Sequence, residues 1–137
     1  MRQFLVAAGV VCMFVPMSAA RQAVPPRAAN AQVDLGIRDL LRQYSTALEN
    51  LDAYAVKKVQ PSIEAENLRK AFRDMRTLMV TIDDVRVLAT DDSTARVSCR
   101  VAQTLIPKAG SKRETTVTRV MRLRRQAGSW IIETFER

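Results

Sequence analysis

The sequence predicts an α+β domain in which three helices precede a four-stranded antiparallel sheet. Two observations carry this. Apolar residues recur at three- and four-residue steps as far as Met79 and at two-residue steps beyond it, where Val, Ile and Thr dominate. The connections between the later runs are short, so consecutive strands are antiparallel neighbours. A run of helices followed by a run of strands lays the helices over one face of the sheet.

The first twenty residues stand apart from this domain. Arg2 gives a positive start, Phe4 to Met17 (FLVAAGVVCMFVPM) is an apolar run, and Ser18-Ala19-Ala20 offers small residues for cleavage. Residues 1–20 therefore read as a signal peptide, which makes the protein exported, periplasmic or extracellular. The run falls short of the roughly 20 apolar residues a membrane span needs, and Pro16 interrupts it. Cys12 follows Val10 and Val11 instead of a small residue, which argues against a lipid anchor. Residues 21–32 (RQAVPPRAANAQ) show adjacent prolines and no apolar period, the pattern of a flexible leader.

The folded domain is expected over residues 33–137. Val33, Ile37, Leu40, Leu41, Tyr44, Ala47, Leu48 and Leu51 fall on one face of a long first helix, with Asp34 as its N-cap. Asp52 caps a short second helix through Val59, stopped by Pro61. Ser62 caps a third, in which Leu68, Phe72, Met75 and Met79 form an apolar stripe and Glu64 and Glu66 suit the positive end of the dipole. Strands follow over residues 81–89, 94–106, 114–125 and 129–136, separated by Asp91-Asp92-Ser93, Lys108-Ala109-Gly110-Ser111 and Gln126-Ala127-Gly128.

Composition narrows the chemistry. The chain carries a net charge of +8, and loss of residues 1–20 removes only Arg2, leaving +7. Such a balance favours anionic partners without fixing any. Cys99 is alone once Cys12 is gone, so no internal disulfide forms and stability rests on the core. The chain has no histidine, which removes serine triads and the usual zinc sets, and its four glycines are too scattered for a phosphate loop. No metal or cofactor is expected, and no specific nucleic acid.

The first helix with Tyr44, the Ala47-Leu48-Glu49-Asn50-Leu51-Asp52 segment leading to a short helix and Pro61, and the closing LRRQAGSWIIE resemble the nuclear transport factor 2-like superfamily, most closely its SnoaL-like bacterial branch. The resemblance spans residues 33–137. It implies a cone-shaped, cystatin-like fold: a curved sheet wrapped on the first helix, with a small-molecule pocket inside. It also implies that the tryptophan opening the last strand, Trp130, packs under the sheet beside the helices. The segment between Val59 and Ser62 is too short for the small strand that many members insert there. Catalytic members rely on His with Asp, or Tyr with Asp, inside the cone. Without histidine, an enzymatic reading here must run on carboxylates, Tyr, Arg or Cys.

Tyr44 lies on the buried stripe, where it is either a core residue with its hydroxyl at an edge or a donor to a ligand oxygen. Asp83, in phase with Val85 and Val87, is either a base at the rim or a solvated strand residue. Cys99, in phase with Val97 and Val101, is a buried, inert thiol. Gln103 shares that face, and Arg119 shares a face with Val117, Met121 and Leu123. If both alternations hold, Gln103 and Arg119 point into the cavity, where an unpaired charge calls for an anionic ligand or an internal carboxylate. A bulge would instead turn Arg119 outward. On the opposite parity, Arg96, Arg100, Arg122 and Arg124 gather on the exposed sheet face, as plain solvated positions or as a surface for an anionic envelope polymer or membrane.

The expected function is a non-catalytic small-ligand-binding or interaction module, acting as a monomer or homodimer. The alternative is a SnoaL-like isomerase or lyase using Tyr44 and a carboxylate.

Overall fold

The computed structural model describes residues 26–137, so the expected signal peptide lies outside the described residues. Three helices, α1 (Pro26–Glu49), α2 (Ala53–Val59) and α3 (Ala65–Arg73), precede four strands, β1 (Met75–Thr90), β2 (Thr94–Pro107), β3 (Arg113–Gln126) and β4 (Ser129–Glu136). The strands form one antiparallel sheet in the order β1-β2-β3-β4. The predicted α+β arrangement, helices on a curved antiparallel sheet, is the one observed.

Helix α1 begins at Pro26, inside the segment expected to be a flexible leader. Proline suits a first helical position because its missing N–H has no partner there anyway. Asp34 is therefore not an N-cap. It sits within the helix and accepts a hydrogen bond from Arg38 one turn on, at 2.8 Å. The stripe from Ile37 to Leu48 is buried as its spacing requires. At the far end Leu51 takes φ 53°, Asp52 N–H donates to Ala47 O and Leu51 N–H to Leu48 O. This closes the helix in the manner glycine usually does. Leu51 packs against the core, which offsets the strain of a left-handed leucine. Asp52 then caps α2 as expected, accepting from the N–H groups of Tyr54 and Ala55 at 3.1 and 3.0 Å.

The third helix departs from expectation at both ends. It starts at Ala65 after Glu64, which makes no side-chain cap bond. Ser62 instead donates its hydroxyl to the carbonyl of Glu133 in β4 at 3.1 Å, satisfying a group on the sheet's edge strand. Its end comes at Arg73, so Met75 and Met79 belong to β1. Their spacing from Leu68 and Phe72 continued a helical period across the junction by coincidence. In the strand, Leu78 and Val80 turn inward while Met79 is half exposed. No strand occurs between α2 and α3.

The inner face of the sheet and the helices share one core. Trp130 is 8% exposed. It stands so close to α1 that a Cβ built on Gly36 would meet its Cδ1 at 2.9 Å, so the glycine allows the approach. The Arg125 guanidinium lies 4.9 Å from the Trp130 ring centroid. The tryptophan is thus a packing residue, held between the helix and its own hairpin.

Candidate functional site

Register decides which side chains meet inside. The β2–β3 ladder runs without a slip from Thr94 opposite Arg124 to Leu105 opposite Arg113. No bulge intervenes, so Arg119 keeps the parity of Val117, Met121 and Leu123, opposite Cys99. Gln103 stands opposite Thr115 on the same face.

A cavity of about 250 Å³ opens between this face and α1. Tyr44, Gln103 and Arg119 all line it, together with Thr115. Val101, Val117, Met121 and Phe135 supply its apolar wall. The rings of Tyr44 and Phe135 are 6.2 Å apart and tilted by 46°. Burial pushes the Tyr44 hydroxyl above the usual phenol value, against the opposing pull of the nearby Arg119 charge. The phenol is then a neutral donor at pH 7. Arg119 forms no ion pair among the described residues. The cavity lining therefore offers a cation, a hydroxyl donor and an amide around an apolar floor. It contains no carboxylate.

Two other residues weighed in the sequence fall elsewhere. Asp83 is not in phase with Val85. A bulge between Asp83 and Arg86, with Asp84 at φ 49°, inserts one residue into β1 and reverses its parity. Asp83 therefore faces outward, where Arg100 donates two hydrogen bonds to it at 2.7 Å each and holds its carboxyl below the usual range. Cys99 is fully buried, and burial, with a smaller push from Asp83, raises its thiol to about 11. A thiol of that kind is not a nucleophile at neutral pH.

The outer face does gather Arg96, Arg100, Arg122 and Arg124, but with acids beside them. Arg96 donates to both oxygens of Glu136 at 2.9 and 2.6 Å, and Arg122 lies 3.5 Å from the same carboxylate. Arg124 lies 3.9 Å from Glu133. These arginines first, and desolvation against them, set the low carboxyl values of Asp83 and Glu136. Sequence parity found the arginines and missed their partners, because Asp83 and Glu133 both sit at strand irregularities.

Larger but more open hollows lie between α1 and α2, lined in part by Arg42, Asn50 and Lys58, and on the outer face beside Arg96 and Arg122. Among the described residues no group of acidic, Cys or His side chains is placed to hold a metal ion, and no helix is long and apolar enough to cross a membrane.

No family model and no curated protein matches the sequence. Solved structures do match in fold. A proposed dehydratase of the nuclear transport factor 2-like family from Streptomyces avermitilis superposes with a TM-score of 0.61 at 15% identity, covering 81% of this chain and 96% of that one. The fold is nuclear transport factor 2-like. Similar matches are a proposed scytalone dehydratase from Novosphingobium aromaticivorans (TM-score 0.70, 11% identity, 80% and 85% covered) and a hexachlorocyclohexane dehydrochlorinase from Novosphingobium barchaimii (0.63, 9%, 80% and 87%). A protein of unknown function from Mycobacterium tuberculosis matches at 0.67 with 19% identity, covering 82% of this chain and 75% of that one. At such identities the likeness is one of nuclear transport factor 2-like architecture, not of chemistry.

Proposed function

We propose that this nuclear transport factor 2-like domain binds a small organic anion in its cone and performs no chemistry on it. One observation carries the reading: Arg119 is on the inner strand face, beside Tyr44 and Gln103, with no carboxylate partner among the described residues. Arg119 is solvent-exposed where it lines the cavity, and a guanidinium there without a counter-ion among the described residues favours an anion brought by a ligand. The eliminations named for some structural neighbours, dehydration and dehydrochlorination, require a base at the substrate. This cavity's lining supplies neither imidazole nor carboxylate, and Asp83 is committed to Arg100 on the other face. The isomerase or lyase reading gains nothing from this geometry.

A thermal-shift titration with small carboxylates tests the proposal. Benzoate-sized acids should raise the midpoint of the wild type, as expected for any ligand that binds only the folded state. Arg119→Met should lose the shift while unfolding no earlier than wild type, since the exposed side chain makes no ion pair among the described residues whose loss would cost stability. Absence of any shift in the wild type would refute the reading.

The same reading places the protein outside the cytoplasm, on the strength of Arg2, the apolar run and Ser18-Ala19-Ala20. Mass spectrometry of the protein from its host should find an N-terminus near Arg21. An intact Met1 in the cytoplasmic fraction would rule this out.

A further inference from the structure

Beyond the mouth of the cavity, the inner face of β3 carries a second arginine. Arg113 opens β3 opposite Leu105, a residue packed against the core, so Arg113 shares the inner parity of Thr115, Val117 and Arg119. Like Arg119, it forms no ion pair among the described residues. Its neighbours Lys112 and Glu114 satisfy each other at 2.7 Å, which leaves no local acid for it. The unslipped ladder fixes the spacing: the two arginines are six strand steps apart, about 20 Å between their Cα atoms. Each guanidinium can reach several ångströms along that line. Between them lie the polar Thr115 and Gln103 and the apolar Val117, with Phe135 and Tyr44 across the cavity.

From this spacing we infer that the ligand of the cone is an elongated dianion, with an anionic group held at Arg119, an apolar spacer along Val117, and a second anionic group at Arg113. This rests on the anion-binding reading above and adds to it the length and the second charge. A compact monoanion would leave Arg113 unused. The elongated ligand places both charges against guanidinium groups that no carboxylate among the described residues pairs with. Carboxylate and phosphate ends share this chemistry, and the ends differ in how bidentate guanidinium contacts form.

Calorimetric titration of the purified chain separates the possibilities. Monocarboxylates and α,ω-dicarboxylates of matched, increasing chain length are compared, then the corresponding phosphomonoesters of ω-hydroxy acids. Affinity for the diacids should pass through a maximum with length and there exceed that of the matched monoacid by about tenfold, as a second charge-assisted contact implies. Arg113→Gln should reduce the best diacid to the affinity of its monoacid. A larger gain with a phosphate end would identify the phosphoryl ligand as the better fit. Monoacids binding with no gain for any diacid would overturn the inference and leave the anion-binding reading standing. A diacid gain that survives Arg113→Gln would also overturn it, since the second anion would then lie elsewhere. No binding of any acid would remove both. Circular dichroism and unfolding midpoints of each variant show that a loss of affinity is not a loss of fold.

Discussion

Arg119 and Arg122 are three residues apart on β3 and end on opposite faces of the sheet. Arg122 lies 3.5 Å from Glu136, a carboxylate that also accepts two hydrogen bonds from Arg96. Arg119 lines the cavity with the half-buried Tyr44 and meets no acid among the described residues. Strand parity alone sends them to different sides. Whether the charge is then spent depends on what β1 and β4 deliver, and the acids they set against β2 and β3 arginines, Asp83, Glu133 and Glu136, all lie outward. The outer face is a lattice of exposed ion pairs, each of small energetic weight. The inner face combines the core with arginines that no acid among the described residues neutralises.

If that contrast is right, stability should depend on the inner face far more than on the outer. Trp130→Ala is expected to cost about 3 to 5 kcal/mol, the range for emptying a large aromatic site. The ring is buried, fills the space against Gly36 and takes a contact from Arg125. Urea unfolding of the two proteins measures it. An unchanged midpoint would mean that the helix and the last hairpin do not depend on this packing.

Much of this division was legible in the residues themselves. The α1 stripe, the Asp52 cap, the sheet order and the inward parity of Gln103 and Arg119 follow from periods that no irregularity interrupts. What stayed hidden lies where the backbone breaks its period with an unremarkable residue. Asp84 at φ 49° starts no glycine signal, yet it turns Asp83 from a rim candidate into an outer-face partner of Arg100. The slip between Ile132 and Thr134 hides Glu133 in the same way. At Met75 a helical spacing ran on into a strand, because Met fits either period and only the paired partner, Pro107, settles it. Pro26 could begin a helix or sit in a leader, and the apolar pattern carries no weight at that end.

Acid and alkali should strip the two faces in turn. Asp91 in the β1–β2 turn accepts from the Ser93 N–H at 2.8 Å, the Thr94 hydroxyl at 2.8 Å and the Thr94 N–H at 2.7 Å, and these bonds lower its carboxyl from 3.8 to about 2. Asp83 and Glu136 are lowered by Arg100 and Arg96. A depressed carboxyl adds stability that is complete above its unfolded value and is lost as pH falls toward the folded one, so the outer face and its turn weaken below about pH 4. The inner face behaves oppositely. Cys99 is raised from 9.0 to about 11, and its contribution is present below pH 9.0 and disappears as pH rises toward 11. Unfolding midpoints across pH should therefore show an acid limb that Asp91→Asn flattens and an alkaline limb that Cys99→Ala flattens. If either substitution flattened the other limb, the assignment of limbs to faces would fail.

The smallest effect expected, and the sharpest on the outer face, is in its affinity for polyanions. Four arginines there face three carboxylates, so little charge is free to release counterions from a polymer. Replacing Asp83, Glu133 and Glu136 with Asn, Gln and Gln frees the arginines. Retention on heparin should then move to higher salt than for a control in which Glu64, Asp74 and Asp92, none of them ion-paired with an arginine or lysine among the described residues, are replaced in the same way. Both variants lose three negative charges, so net charge alone predicts the same elution. A difference between them measures the masking that the ion pairs provide. Equal elution would mean that the arginines are already open to an anionic polymer or membrane in the wild type, and the outer face would then be the interaction surface its sequence suggests.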